Sequence, residues 1–267
     1  MLTWLIPLVV LAVVATAVTA KLLVRTRAPE GGWFTDLTRS AGSLSVIGTM
    51  FAVMLAFVIL FALQSFQRAR EGASIEAIAV TEMNSVASIL PQPGSDRLRG
   101  DLVCYGRAVI GDEWPAMRDG RSSEVTEAWV DRLRVDFSAT APGDARQEAA
   151  YGQWFDQEAQ RRDGRRERLA EASPTLPAPL WFALGTGALL TLTYMVIQAD
   201  PRESKLIQAL PIACVSALIT AGLLVVFFLD RPYAGNHGSI TPVEMTRTVA
   251  RIDAGVQAPC DDRGNPQ

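Results

Sequence analysis

The residues of this sequence that could carry acid–base, nucleophilic or metal chemistry are few and widely separated. The single histidine, His237, has no cysteine or carboxylate pair at ligand spacing beside it, so we expect a structural or solvent-exposed side chain. The signatures of nucleotide-binding glycine loops and of serine hydrolases do not occur, and no carboxylate falls within an apolar segment where it could relay protons. The sequence therefore predicts no metal, no cofactor and no catalytic residue, and it argues against an enzyme.

The three cysteines divide between apolar and polar regions. Cys214 falls within an apolar segment, whereas Cys104 and Cys260 lie in polar regions; two of the apolar spans identified below separate them, which would place both on one common side of a membrane. Two cysteines without a surrounding cysteine framework are more typical of free thiols. A disulfide between Cys104 and Cys260 is the alternative if that side of the membrane is oxidising.

Four segments are long enough, apolar enough and free enough of charge to cross a membrane: Leu2 to Ala20, Ala41 to Leu63, Ala178 to Ala199 and Leu206 to Leu229. A charged side chain at the bilayer centre costs about 2.5 to 3.5 kcal/mol, and all four segments avoid one. The first segment is interpreted as a retained span rather than a signal peptide, because its basic residues follow the apolar stretch. We therefore predict a multi-pass membrane protein in contact with the lipid bilayer.

The charges of the chain argue against a nucleic-acid partner. The formal net charge is only −3, and acidic and basic residues are mixed. One basic run precedes the third span, and it is interpreted either as a solvated helix face or as a contact with anionic headgroups. Its members are Arg161, Arg162, Arg165, Arg166 and Arg168.

The spans divide the chain into four parts. Residues 1–66 hold the first two spans, residues 67–177 a polar region that continues from the second span, residues 178–230 the other two spans, and residues 231–267 a C-terminal tail. Apolar residues of the polar region recur at steps of three and four, the period of a helix, so the predicted fold class is all-α. The apolar stripes are Ile75, Ala79, Met83, Val86 and Leu90; Leu98, Leu102, Tyr105 and Val109; and Val125, Trp129 and Leu133.

The second span continues without a proline into the polar region. From Ser43 to Leu90 there is no proline, and beyond the membrane span only Gly72 is a weak point for a helix. About 48 helical residues make a rod of roughly 70 Å, whereas the hydrocarbon core of a bilayer is about 30 Å thick. Such a helix couples a membrane span to an extramembrane domain, as in channels, transporters and membrane sensors.

The second span has two unlike faces. Small residues recur every four positions at Gly48, Ala52 and Ala56, which predicts a ridge that another helix can approach closely. Bulky residues lie on the opposite face and are interpreted either as a lipid-facing stripe or as a hydrophobic constriction in a pore. They are Met50, Met54, Phe57 and Phe61.

Two short motifs stand out from the predicted helices. In the segment Glu113 to Met117 we expect a turn, with Trp114 anchoring the packing and Pro115 breaking the helix. The second motif directly follows the fourth span and is interpreted as an exit cap that turns the chain onto the polar region, with an ion-contacting site as the alternative. In it, Asp230 pairs with its neighbour or snorkels, the tyrosine suits the membrane interface and the glycine permits a tight turn. It comprises Asp230, Arg231, Pro232, Tyr233 and Gly235.

These motifs resemble the bacterial bestrophin-like family of integral membrane proteins. The matching stretches are FAVMLAFVILFALQSFQRAREGASIEA, EWPAM, LPAPLW, LDRPYAG and ITP. The family is distantly similar to bestrophin channels. This resemblance implies a homo-oligomer, a pentamer, in a bacterial inner membrane. It also implies that small ions pass through a pore lined by the second span. It nominates Met50, Met54 and Phe57 for an apolar neck, and Arg68 and Arg70 for the start of a vestibule.

The side of the membrane that the polar region occupies stays open. Six basic residues lie in the two short loops and favour a cytoplasmic location for those loops. The opposite side is also basic, however. The resemblance to bestrophin channels implies instead that the polar region is cytoplasmic. The loop residues are Lys21, Arg25, Arg27, Arg39, Arg202 and Lys205. Two functions follow: a homo-oligomeric ion channel, or a membrane sensor or scaffold that signals through its helical domain.

Overall fold

The computed structural model describes residues 2–34, 37–235 and 238–267. In these ranges the chain forms helices and no β-strand, which confirms the predicted all-α class; an isolated bridge joins Cys260 and Pro266. The helices are α1 (Leu2–Arg27), α2 (Leu37–Ala87), α3 (Gly94–Ala108), a π-helical turn (Val109–Glu113), α4 (Trp114–Met117), α5 (Glu124–Ser138), α6 (Ala145–Ala170), α7 (Ala178–Ile197), α8 (Lys205–Leu229) and α9 (Val243–Ile252).

The chain divides into two compact units. The apolar unit comprises the residues up to Gln64 together with Thr175–Asp230, and the polar unit comprises Ser65–Pro174 together with Arg231–Gln267. Helix α2 contributes residues to both units. The C-terminal residues therefore belong to the same unit as the polar region between the second and third spans.

The apolar unit contains the helices expected to cross the membrane. Among the described residues, α1, α2, α7 and α8 are long and apolar enough to do so. Helix α2 contributes Phe51 and Val58 to an apolar cluster with α7 and α8, whose other buried members are Leu184, Ala188, Ile219 and Val226. Lys21 was assigned to a short loop but lies within α1, and its buried ammonium donates to the carbonyl oxygens of Met195 and Gln198 at 2.6 and 2.9 Å, so it satisfies carbonyls at the end of α7.

The core of the polar unit is built from the predicted stripes. Met83 of α2, Leu102 and Tyr105 of α3 and Trp129 of α5 are all buried in one apolar cluster. Aromatic stacking extends this cluster, since the Phe137 ring lies 4.8 Å from that of Trp154 on α6. The periodicity therefore located the inward faces of three helices correctly.

The segment Glu113 to Met117 does not break the helix at Pro115. The chain passes from α3 through the π-helical turn into α4, and Pro115 lies in the first turn of α4, where a missing N–H group is tolerated. The turn comes afterwards, at Arg118 to Gly120, where Gly120 has a φ of +68°. Trp114 anchors the packing, because its indole N–H donates to the Ile240 carbonyl at 3.2 Å.

Helices α2 and α6 cross at two glycines. A Cβ atom on Gly72 would lie 2.8 Å from the Gly164 carbonyl oxygen, and one on Gly164 would lie 2.6 Å from the Glu76 nitrogen. The backbones approach closely because both side chains are absent. Gly72 is therefore a packing site as well as a weak point in the helix.

Candidate functional site

The candidate site is the outward face of the second span. Met50, Phe57 and Phe61 are 71%, 57% and 58% exposed in the described part of the chain. Val53 and Leu60 are exposed beside them. These residues lie away from Phe51 and Val58, which pack within the apolar unit. The stripe therefore offers apolar surface to lipid, to a pore or to another subunit.

Met54 does not share this position. It is half-buried against the cluster of α2, α7 and α8, and a Cβ atom on Gly187 of α7 would lie 3.3 Å from its Cε. The sequence placed Met54 with the other bulky residues because it is close to them around the helix. In the structure, packing against α7 and α8 separates Met54 from the exposed stripe.

The small-residue ridge is not covered within the described chain. No atom lies within 4 Å of the position that a Cβ on Gly48 would occupy, and Ala52 and Ala56 are exposed. The ridge is therefore available to a helix outside the described chain rather than used to pack α7 or α8.

The two arginines nominated for the vestibule differ in their surroundings. The Arg68 guanidinium lies 2.9 Å from a Glu171 carboxylate oxygen and is therefore paired. Arg70 is exposed and lines a cleft of about 430 Å³ together with Arg247 and Thr241. Of the two, Arg70 is the better placed to present positive charge to the solvent.

The basic run before the third span is neither a solvated face nor a headgroup contact at three of its five positions. Arg161, Arg165 and Arg168 are buried in the polar unit. Arg168 lies 2.6 Å from Glu76 and 2.5 Å from Glu113, and Arg165 shares Glu113 at 2.5 Å. Both interpretations from the sequence were wrong for these arginines. Carboxylates of α2 and the π-helical turn pair with Arg165 and Arg168, and Arg161 donates to the Tyr105 hydroxyl.

Electrostatics keep this buried cluster charged. Burial alone would raise the pKa of Glu113, but Arg168 and Arg165 outweigh that effect and hold it below its usual range. Burial and the Glu76 carboxylate raise the pKa of Tyr105, whose hydroxyl donates to Glu76 and accepts from Arg161. The cluster stabilises the unit internally, because its guanidinium groups are occupied by protein acceptors.

The exit motif after α8 is distributed over both units. Asp230 accepts hydrogen bonds from the backbone N–H groups of Thr175 and Leu176, both at 2.9 Å, which differs from the expected pairing with Arg231 or snorkelling. Tyr233 is buried in the polar unit, not exposed at an interface, and its hydroxyl donates to the Ala69 carbonyl at 2.7 Å. Pro232 is also buried, and Gly235 has a φ of +75°, the left-handed conformation of a tight turn.

The cysteines of the polar unit are not free thiols. Cys104 of α3 and Cys260 form a disulfide, so the preferred expectation was wrong and its alternative holds. The C-terminal residues fold back onto α3, which sequence spacing cannot reveal. Cys214 is a free cysteine.

No group of three His, Cys, Asp or Glu residues that could hold a metal occurs in the ranges that the structure describes. His237 lies outside those ranges. The residues that sequence reasoning missed are Glu76 and Glu113, the acidic partners of the buried arginines. Glu113 belongs to a motif that the sequence had singled out, but only for its tryptophan and proline.

Comparison with known proteins places these features in a family. The sequence matches the Bestrophin-like domain over residues 6–243. A crystal structure of a bacterial bestrophin homologue from Klebsiella pneumoniae has a TM-score of 0.68 at 13% identity, covering 96% of this chain and 99% of that one. A point mutant of the homologue gives 0.70 at 12% identity, covering 91% and 97%.

Identities this low show a shared fold, and no curated protein matches the sequence significantly. The domain match, by contrast, extends over most of the chain and agrees with the resemblance found in the sequence motifs. This protein therefore belongs to the bestrophin-like family of membrane proteins.

Proposed function

We propose that the protein is a homo-oligomeric ion channel of the bacterial inner membrane, with a pore lined by α2. The observation that carries the proposal is the continuous exposed apolar stripe of this helix. One face of α2 packs against α7 and α8, and the stripe lies on roughly the opposite face. Several copies arranged around an axis would point such stripes inward.

The proposed pore stripe follows a spacing of four and three residues. Counting about 100° per residue, its members cluster on one side of α2, away from the packed Phe51 and Val58. Rings of such side chains form a hydrophobic constriction that gates by dewetting. The stripe comprises Val46, Met50, Val53, Phe57 and Leu60.

The other nominated residues take different places in this proposal. Met54 supports the helix from inside the subunit, and Phe61 lies at the edge of the stripe. Gly48, Ala52 and Ala56 form the contact with the neighbouring subunit. Arg70 contributes positive charge beyond the constriction, whereas Glu171 neutralises Arg68. The pentameric state rests on the resemblance to bestrophin channels.

A sensor or scaffold is the second candidate. The cleft of about 430 Å³ in the polar unit favours it, because Arg70, Glu76 and Trp114 line a space large enough for a small ligand. Helix α2 would then transmit the state of the polar unit to the membrane span. This function does not require a closed ring of subunits.

The experiment that separates the two functions is conductance of the purified protein in a planar bilayer, after its oligomeric mass has been measured in mild detergent. Gradients of chloride and sodium give the ion preference from the reversal potential. Discrete currents from a ring-sized oligomer support the channel. A monomer or dimer, or silence from folded and inserted protein, contradicts it, since one α2 per subunit cannot enclose a pore in such small assemblies.

A further inference from the structure

The disulfide of the polar unit carries information about the compartment in which that unit folds. It joins Cys104 and Cys260, which are 0% and 4% exposed, and brings together residues separated by 156 positions in the chain. Disulfides form and persist on the oxidising side of a membrane and are rare where cellular thiols keep cysteines reduced. The bond is therefore an indicator of location.

Contacts independent of the bond hold Cys260 in register with α3. The Trp129 indole N–H donates to the Gly264 carbonyl at 2.6 Å, and Arg107 lies 2.9 Å from Asp253. Gly264 has a φ of +84°, and a Cβ atom there would lie 2.3 Å from the Ala108 nitrogen. The fold thus positions the two cysteines through a specific close approach.

The charges of the short loops favour a cytoplasmic position for these loops, which puts the polar unit on the opposite, oxidising side. Four basic residues lie between the first two spans, and two lie between the last two. They are Lys21, Arg25, Arg27 and Arg39, and Arg202 and Lys205. Orientation follows the Lys and Arg content of short loops, which remain cytoplasmic, whereas long domains cross the membrane largely regardless of charge.

The structure also reduces the positive charge that the polar unit can present to a membrane. The basic residues of the polar unit made the sequence ambiguous, but Arg161, Arg165 and Arg168 are buried and paired with acceptors in its core. These arginines present little charge to a membrane surface. Exposed basic residues remain on both sides, for example Arg70 in the polar unit and Arg202 in a short loop, so the disulfide decides between the two orientations.

We infer that the polar unit lies on the oxidising, external side of the membrane and that the two short loops are cytoplasmic. This orientation is opposite to the one implied by the resemblance to bestrophin channels. A protein dithiol–disulfide carrier on the external side is the class of oxidant required. The two thiols lose two protons and two electrons as their S–S bond forms, and the carrier's S–S bond is reduced to two thiols.

The inference does not rest on channel activity, since a sensor with this topology would have the same bond. It has a consequence for either function. The cleft lined by Arg70 and Arg247 would be reached from outside the cell, so a ligand for it would be an external solute.

The first test counts protected thiols in growing cells. Cells expressing the Cys214→Ala chain are quenched in acid, and free thiols are blocked with N-ethylmaleimide. The protein is then reduced and treated with a polyethylene glycol maleimide. Two added polymer chains are expected after reduction and none without it. Cys104→Ser and Cys260→Ser are the controls and abolish the shift. Absence of the shift in the parent chain means reduced cysteines and overturns the inference.

The second test reads the orientation directly. In the Cys214→Ala chain, Glu148→Cys places a reporter on an exposed position of α6, and Arg202→Cys places one in the short loop before α8. A membrane-impermeant maleimide applied to intact cells is expected to label the first variant and to label the second only after lysis. The reverse pattern, or equal labelling while a cytosolic thiol protein stays unlabelled, overturns the inference.

Discussion

Arg168 illustrates how a charged side chain stabilises the interior of the polar unit. Its guanidinium is fully buried between Glu76 and Glu113, and it also lies 5.3 Å from the centroid of the Trp114 ring. Taking such charges out of water is costly, and mutual pairing with several hydrogen bonds offsets the cost. Removing one member leaves its partners charged and buried.

Arg168→Leu is therefore expected to destabilise the protein by about 3 to 5 kcal/mol, as measured for broken buried ion pairs. The matched control is Arg134→Leu, because Arg134 and Asp131 form a pair of similar chemistry with both side chains more than 70% exposed. Surface pairs are worth less than about 1 kcal/mol. Thermal unfolding of the purified variants in detergent measures both effects, and similar losses for the two would contradict the argument.

Asp101 on α3 predicts a pH dependence of stability. Burial and hydrogen bonding to Asp136 raise its pKa to about 8, although Arg132 and Arg97 oppose the shift. The folded state then holds a proton that the unfolded chain releases near its ordinary pKa of about 4. The contribution of Asp101 to the free energy of unfolding is thus greatest in acid. It falls as the pH rises towards 8 and levels off above pH 8.

The measurement is the unfolding midpoint between pH 6 and 9. Asp101→Asn keeps a neutral side chain that can still contact Asp136, so it should flatten the slope contributed by Asp101 over this range. Asp131→Asn is the control, since Asp131 is exposed on α5. An unchanged slope in Asp101→Asn would show that Asp101 does not bind the proton.

At the scale of helices, the crossing of α2 and α6 depends on two glycines. Gly164 lies where its missing side chain lets the α2 backbone approach, whereas Gly152 on the same helix has open space around it. The two positions share a helix and a residue type. They differ in their neighbours, so a substitution at Gly164 reports on helix packing and the same substitution at Gly152 reports on helix propensity.

Gly164→Ala should destabilise the polar unit by about 1 to 3 kcal/mol, because the added methyl group forces the helices apart. Gly152→Ala should stabilise it by roughly 0.5 to 1 kcal/mol, since alanine loses less backbone entropy in a helix. Unfolding midpoints of the two variants provide the comparison. Stabilisation by both substitutions would mean that the crossing relaxes without cost.

These helices also show which features a sequence reveals. The apolar stripes of α2, α3 and α5 were predicted because periodic burial of apolar residues leaves a direct trace in the sequence. Helix α6 was misinterpreted because arginines usually mark a solvated face. A signal was present, however: Arg161, Arg165 and Arg168 lie at helical spacing on the same side as the buried Trp154.

Features that depend on distant parts of the chain could not be predicted in the same way. The acidic partners of α6 come from α2 and from the π-helical turn, and Cys260 reaches α3 through a fold of the C-terminal residues. Residue spacing contains no information on such pairings. The exposed stripe of α2 was predictable in composition, but separating Met54 from it required the packing against α7.

At the scale of the whole molecule, the apolar surface of α2 supports the proposed assembly of several copies. The same helix carries a bulky stripe and a small-residue ridge, both exposed in the described chain. Unlike patches on one subunit generate rings when the rotation between copies closes.

If the proposed channel forms, Met50→Ala combined with Phe57→Ala is expected to raise the unitary conductance, because shorter side chains widen the constriction and keep it hydrated. The matched control is Phe182→Ala with Leu189→Ala, which truncates similarly large and exposed residues of α7. Single-channel currents in planar bilayers, from proteins with the parent oligomeric mass, measure the difference. If the α2 stripe faced lipid, both double variants would leave the current unchanged; a selective increase in the α2 variant therefore assigns the stripe to the ion path.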